Sequence, residues 1–319
     1  MDESTRESLL KKIMVLNEHV WEQRASLPRV ESWLRNFEGK TESVEVEQLH
    51  ALYWLAQFMY FGTREIRVLV RALYRDLFLR PVILETRKKL GVNVSDVDLA
   101  RGVSDELDKT RFFGVGNPSE SGAHILYYFR QENMLQKQHF MDAVQIFSRG
   151  ASGERKLRKP EIERYVFLDD ICGSGDTAVD YSGVVLDDLL ALNPSASVSY
   201  YCIFATSGGM KRVREESRFG NSCGAVYELD DSYRCLSAKS RYFSGTLMEG
   251  IDPDVACRMA RHYGNLLHSD YAAGWRDSQM LMGFHHNIPD NTLAMMWWDG
   301  AWNKAGPAWT PMFKRYPKV

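Results

Sequence analysis

Disulfide and metal frameworks are what this sequence most clearly lacks. Its five cysteines stand at 172, 202, 223, 235 and 257, an odd number with no Cys-x-x-Cys pair, so neither a disulfide scaffold nor a structural zinc site is expected. Charge of one sign is missing too. The 40 Lys and Arg against 42 Asp and Glu leave a formal net charge of −2, which removes any global electrostatic case for nucleic-acid binding. No apolar run approaches the roughly 18 residues of a membrane span. The opening Met1-Asp2-Glu3-Ser4-Thr5 is unlike a basic, apolar export signal, so no membrane partner and a cytoplasmic location are expected. Internal repeats and low-complexity tracts are absent, and β-type alternation is scarce before Arg111.

What is present divides unevenly. The length of 319 residues suggests two domains. Leu9 to Trp21, Val44 to Phe61 and Thr63 to Arg80 carry helical spacing or long apolar runs, and Pro81 opens a further helix to Leu90, predicting an N-terminal helical domain over 1–105. Leu52 to Phe61 is apolar nearly all round, which requires burial on more than one side, against an α/β domain, a partner chain or a second copy in a homo-oligomer. From 106 to 278 the pattern becomes strand, helix, strand, helix, strand: an α/β domain with a parallel sheet and flanking helices, followed by a C-terminal strand and cap over 279–319.

The most informative stretch is Tyr165-Val166-Phe167-Leu168-Asp169-Asp170-Ile171-Cys172-Gly173-Ser174-Gly175-Asp176-Thr177-Ala178. An apolar run reads as a buried strand, and the amphipathic run from Ala178 to about Leu192 as the next helix. A loop at the C-terminal end of a parallel strand is where open α/β sheets bind ligands, and a helix N-terminus offers N–H groups to a phosphate. Gly173 and Gly175 let the backbone approach an anion, while Ser174 and Thr177 add hydroxyl donors. Asp169 and Asp170, expected at the loop mouth, suit the vicinal hydroxyls of a ribose, directly or through Mg²⁺, which makes them the catalytic and metal candidates. The bland alternative is an ordinary turn and N-cap, for which Ser, Asp and Gly are also favoured.

The segment resembles the signature of type I phosphoribosyltransferases: a short apolar strand, two acidic residues, two mostly apolar residues and a small-residue loop ending in Gly-x-Thr. The resemblance implies that Asp169 and Asp170 hold the ribose hydroxyls of 5-phosphoribosyl-1-pyrophosphate (PRPP), and that Gly173, Ser174, Gly175, Asp176 and Thr177 hold its 5′-phosphate. Two departures stand out. Gly173 occupies a position that is acidic in hypoxanthine-type members, and Asp176 brings a negative charge into an anion loop, so its side chain is expected to face outward or toward a cation. The family also holds pyrophosphate with an earlier loop. The candidate here is Gly114 to Gly122, with Gly116, Ser119, Ser121 and Gly122, and with Arg130, Arg111 or Lys137 as a charge clamp.

A third stretch, Gly283-Phe284-His285-His286-Asn287-Ile288-Pro289-Asp290-Asn291-Thr292-Leu293-Ala294-Met295-Met296-Trp297-Trp298, is similar to the Pro-Asn-Asn-Thr-Leu-Pro-x-x-Trp pattern of bacterial phosphoribosyltransferase-like proteins of conflict and anti-phage systems, some beside retron reverse transcriptases. That similarity implies an effector role and a defence partner protein or ribonucleoprotein. Asn291, Thr292 and Trp297 are candidates to recognise a base or acceptor, although the Met and Trp residues equally suit a core. His285 and His286 face opposite sides of a strand and make poor joint metal ligands. Arg155, Lys156, Arg158 and Lys159 suit a solvated linker or a polyanion contact. The expected activity is that of a phosphoribosyltransferase-like glycosyltransferase binding PRPP or a nucleotide. A nucleotide or nucleoside glycosidase, a non-catalytic PRPP sensor and a scaffold remain as alternatives.

Overall fold

A computed structural model describes residues 3–116, 121–300 and 308–315. In chain order come helices α1 (Glu3–His19), α2 (Leu27–Leu34) and α3 (Val44–Ala56), strand β1 (Met59–Phe61), helices α4 (Thr63–Ala72), α5 (Arg80–Leu90) and α6 (Asp96–Asp108), strand β2 (Thr110–Gly114) and helix α7 (Ser121–Glu132). A hairpin of β3 (Phe147–Arg149) and β4 (Arg155–Leu157) precedes β5 (Arg164–Cys172), α8 (Asp176–Leu192), β6 (Ser197–Thr206), α9 (Ser207–Glu216) and β7 (Cys223–Leu229). Helix α10 (Pro253–Leu267), strand β8 (Met282–Phe284) and the short α11 (Ala294–Trp297) complete the order.

The chain forms two compact units, 1–66 with 230–319, and 67–229. These limits differ from the sequence-based boundaries at 105 and 278, because the first and last segments share one hydrophobic core. Trp21, Trp33, Trp54, Met259, Met295 and Trp297 lie in that core together. Buried indoles need hydrogen-bond partners. Trp33 Nε1 donates to the Met295 carbonyl at 2.9 Å and Trp54 Nε1 to the Ala256 carbonyl at 3.2 Å, tying the early helices to the late segment. The apolar run after Ala51 is buried within this same unit, where α3 packs on α1 and α10. The expected helix through Phe61 stops at Ala56, since Met59–Phe61 pairs in parallel with Met282–Phe284.

The second unit is built on a four-stranded parallel sheet of order β2-β5-β6-β7. This is the expected α/β architecture with flanking helices. Successive side chains in a strand face opposite sides, so adjacent phenylalanines serve both cores. Phe113 lies near Phe167 at 4.9 Å and shares a cluster with Leu186, Leu189 and Val213, whereas Phe112 meets Phe78 and Phe129 at 4.9 and 5.0 Å. Between α4 and α5 the helix widens to a π-helical turn over Leu73–Leu79. Pro81 follows within the first turn of α5, and the wider turn accommodates its missing N–H.

Candidate functional site

Strand β5 runs further than its apolar run suggests. Its pairing with β6 continues through Asp169↔Cys202, Ile171↔Phe204 and Cys172↔Ala205, so both aspartates lie inside the strand. Asp169 is 7% exposed and Asp170 3%, which corrects the expectation that they sit at an open loop mouth. Hydrogen bonds meet the cost of burying carboxylates here. Asp169 Oδ1 accepts from the Asp170 N–H at 2.9 Å, its Oδ2 accepts from the Tyr200 hydroxyl at 3.1 Å, and Asp170 Oδ1 accepts from the Ile171 N–H at 2.9 Å. Burial, and then the neighbouring Asp170 charge, push the Asp169 carboxyl well above the usual carboxylate range. Burial raises the Tyr200 hydroxyl as well, which keeps it a donor.

The loop that follows is held from behind by the β6–α9 turn. Gly175 has φ +81° and caps α8, a left-handed conformation that favours glycine. Thr206 Oγ1 donates to the Gly173 carbonyl at 2.6 Å and accepts from the Gly209 N–H at 2.9 Å, so one hydroxyl both caps α9 and fixes the loop. A Cβ on Gly209 would stand 2.2 Å from the Gly173 oxygen, and a Cβ on Gly175 would stand 2.8 Å from the Gly209 oxygen. Asp176 opens α8 and accepts from Ser174 Oγ at 2.8 Å. Its other oxygen accepts from Arg212 Nη1, and Arg212 Nε also donates to Glu216 at 2.8 Å. The cation that Asp176 faces is therefore a protein side chain. Thr177 is exposed on the first turn, near the N–H groups that a helix start leaves free. Burial pushes the Cys172 thiol up to about 12, so it fills space rather than reacting as a thiolate.

The earlier loop follows β2, whose Gly114 pairs with Leu168. The Val115 N–H extends that pairing to the Leu168 carbonyl at 3.0 Å, and Gly116 turns the chain with φ +92°. Ser119 lies outside the described residues. Ser121 begins α7, and a Cβ on Gly122 would meet the Val115 oxygen at 2.3 Å, so glycine permits close packing of helix start and strand end. Arg130 is in the last turn of α7, nine residues further along. At 1.5 Å per residue that places its backbone about 13 Å from the helix start. Arg111 sits at the opposite end of β2, donating to the Asp108 and Thr110 carbonyls at 2.8 and 2.7 Å.

The proposed base-recognising residues belong to the other unit and are buried in it: Asn291 at 5%, Thr292 at 0% and Trp297 at 2% exposure. Thr292 Oγ1 donates to the Met282 carbonyl at 2.6 Å, Trp297 Nε1 to the Thr292 carbonyl at 2.8 Å, and Asn291 Nδ2 to Ser278 Oγ at 2.9 Å. Arg315 lies over the Trp297 ring at 4.9 Å and bonds to Asp290 at 3.2 Å. In this arrangement the motif ties the end of the chain into a core, and Trp297 has no open face for a base. Sequence reading missed Tyr200, Thr206, Gly209 and Arg212. Only the Thr-Ser-Gly-Gly turn after β6, placed at the same sheet edge, signalled any of them.

No curated protein matches the chain. Among solved structures, the Helicobacter pylori xanthine-guanine-hypoxanthine phosphoribosyltransferase is similar over 55% of this chain and 86% of its own, at 9% identity and a TM-score of 0.27. The AQ2163 protein from Aquifex aeolicus is similar over 64% and 83%, at 17% identity and a TM-score of 0.27. The sequence model of PRTase-CE matches residues 30–315, reaching into both segments of the first unit, and the chain belongs to this phosphoribosyltransferase-like family.

Proposed function

We propose that the protein binds PRPP, or a nucleotide sharing its ribose 5-phosphate, at the C-terminal edge of β5 and transfers the phosphoribosyl group. The observation that carries this reading is the buried Asp169–Asp170 pair placed directly before a braced glycine loop that opens a helix. In the reading, loop N–H groups and the α8 N-terminus bind the 5′-phosphate, and the aspartates orient the ribose hydroxyls. An acceptor attacks C1′, the bond from C1′ to the pyrophosphate oxygen breaks, and pyrophosphate leaves with the electron pair. Two adjacent hard carboxylates, with the Asp169 carboxyl raised by burial and then by the Asp170 charge, suit Mg²⁺, which Asp169 and Asp170 would hold directly or through water. When bound, the ion supplies neutralisation of the departing pyrophosphate.

Calorimetric titration of the full chain with Mg²⁺ and PRPP, beside the Asp169→Asn, Asp170→Asn double variant, tests the site. Saturable heat that vanishes in a folded variant supports the reading, and no heat from wild type rejects it. A part in anti-phage defence rests on the C-terminal motif alone. Expression with its neighbouring genes should lower phage plating, and the double variant should restore it.

A further inference from the structure

The first unit contains a cavity of about 490 Å³ made by the end of α3, the start of β1 and the segment 233–248. No part of it comes from the second unit, and neither the phosphoribosyl reading nor the C-terminal motif uses it. We infer that this cavity is a separate mononucleotide-binding site, with Arg241 as the phosphate anchor and the Gln57 side chain reading the heterocycle.

Arg241 lies flat over the Tyr233 ring, 4.2 Å from its centroid. Among the described residues it forms no ion pair, whereas Arg234 and Arg258 nearby in sequence are each paired with a carboxylate. A guanidinium held on an aromatic face, with Asp230 in its surroundings but in no salt bridge among the described residues, can offer its fork to a phosphate. Thr246 lines the same cavity and carries a hydroxyl donor. Met59 and Met248 supply soft apolar surface suited to a planar ring, and an amide such as Gln57 presents both a donor and an acceptor to a base edge. Tyr242, also lining the cavity, is 8% exposed. The volume lies within the range that encloses a small ligand.

The test is titration of the full-length protein with AMP, GMP, CMP and UMP, and with inorganic phosphate and the corresponding nucleosides as separate arms. The expected result is saturable binding of at least one nucleotide that persists in the Asp169→Asn, Asp170→Asn protein. Because Arg241 is exposed, Arg241→Ala should fold normally and weaken that binding by roughly tenfold or more, the scale of one lost charge-assisted contact. Gln57→Ala should change the preference among bases. Binding that is abolished by the aspartate substitutions but untouched by Arg241→Ala overturns the inference, and does so without touching the phosphoribosyl reading. Phosphate binding as tightly as every nucleotide, or no binding by any nucleotide, overturns it as well.

Discussion

Replacing Gly209 by alanine adds one methyl group and should displace the glycine loop that follows β5. The new carbon would stand 2.2 Å from the Gly173 oxygen and 3.0 Å from the Cys172 oxygen, both backbone atoms that no rotamer change can move aside. Ordinary carbon–oxygen contacts begin near ~3.3 Å, so the loop must retreat by about 1 Å. Overpacking of this kind costs about 1–3 kcal/mol, and the Thr206–Gly173 hydrogen bond that the retreat breaks is worth roughly 1 kcal/mol. Alanine returns up to ~1 kcal/mol in helix propensity, leaving a net loss of about 1–3 kcal/mol. Gly208 is the internal control. It lies in the same turn of α9, a Cβ there would meet nothing within 4 Å, and neither glycine has positive φ. Gly208→Ala should therefore be neutral or stabilising by up to ~1 kcal/mol. For a unit of this size each kcal/mol moves the midpoint by roughly 2–4 °C, so the two variants should melt on the order of 5–10 °C apart. Circular dichroism melts measure that gap, and PRPP titration should show affinity lost only in Gly209→Ala. Equal melting points with equal affinities would refute the claim that the β6–α9 turn sets the loop.

Further substitutions probe separate parts of the molecule. Asp169 holds its proton more tightly folded than unfolded, so its contribution makes stability fall as pH rises from the ordinary carboxylate value near ~4 through the raised folded one. Asp169→Asn should flatten that slope in urea titrations across pH and be more stable than wild type at neutral pH; a variant that is less stable there contradicts the assignment. Arg212→Ala should lower PRPP affinity by roughly tenfold, the scale of a charged hydrogen bond, because Asp176 then faces the incoming phosphate uncompensated. Adding Asp176→Asn should restore most of it, and a double variant no better than the single one removes Arg212 from the site. Thr292→Val leaves the Met282 carbonyl without its 2.6 Å partner and should cost about 1–3 kcal/mol in chemical unfolding while PRPP affinity holds. Lost affinity at unchanged stability would return that residue to a ligand-binding role.

The β5–α8 unit was legible because its signals are local: an apolar strand, a change of composition and a glycine turn fall within fourteen consecutive residues. The supports were not legible because they arrive from elsewhere in the fold. Arg212 reaches Asp176 from the next crossover helix, and nothing in either local sequence fixes that pairing. The same limit explains the unit boundaries. Helical periodicity shows that α3 needs cover on several sides, but not that α10 and the segment around Met295 provide it. Trp297 was misplaced for a related reason: an amphipathic indole suits a ring-binding face and a core with one hydrogen bond equally well, and the 2.8 Å bond to Thr292 selects the second.

The acid pair is where local rules and fold disagree most, and that conflict is informative. Aspartate is disfavoured in strands, and within this four-stranded parallel sheet burial, and then the adjacent Asp170 charge, raises the proton affinity of Asp169. A sheet selected for stability alone would place apolar residues there, as it does at Val166, Phe167 and Leu168 just before them. The Tyr200 hydroxyl and two backbone N–H groups are among the partners that offset the cost. A departure of this kind in an otherwise regular element is expected at a functional site. Under the proposed function, a cation or ribose hydroxyls are further partners for the pair, at the end of β5 that leads into the braced loop.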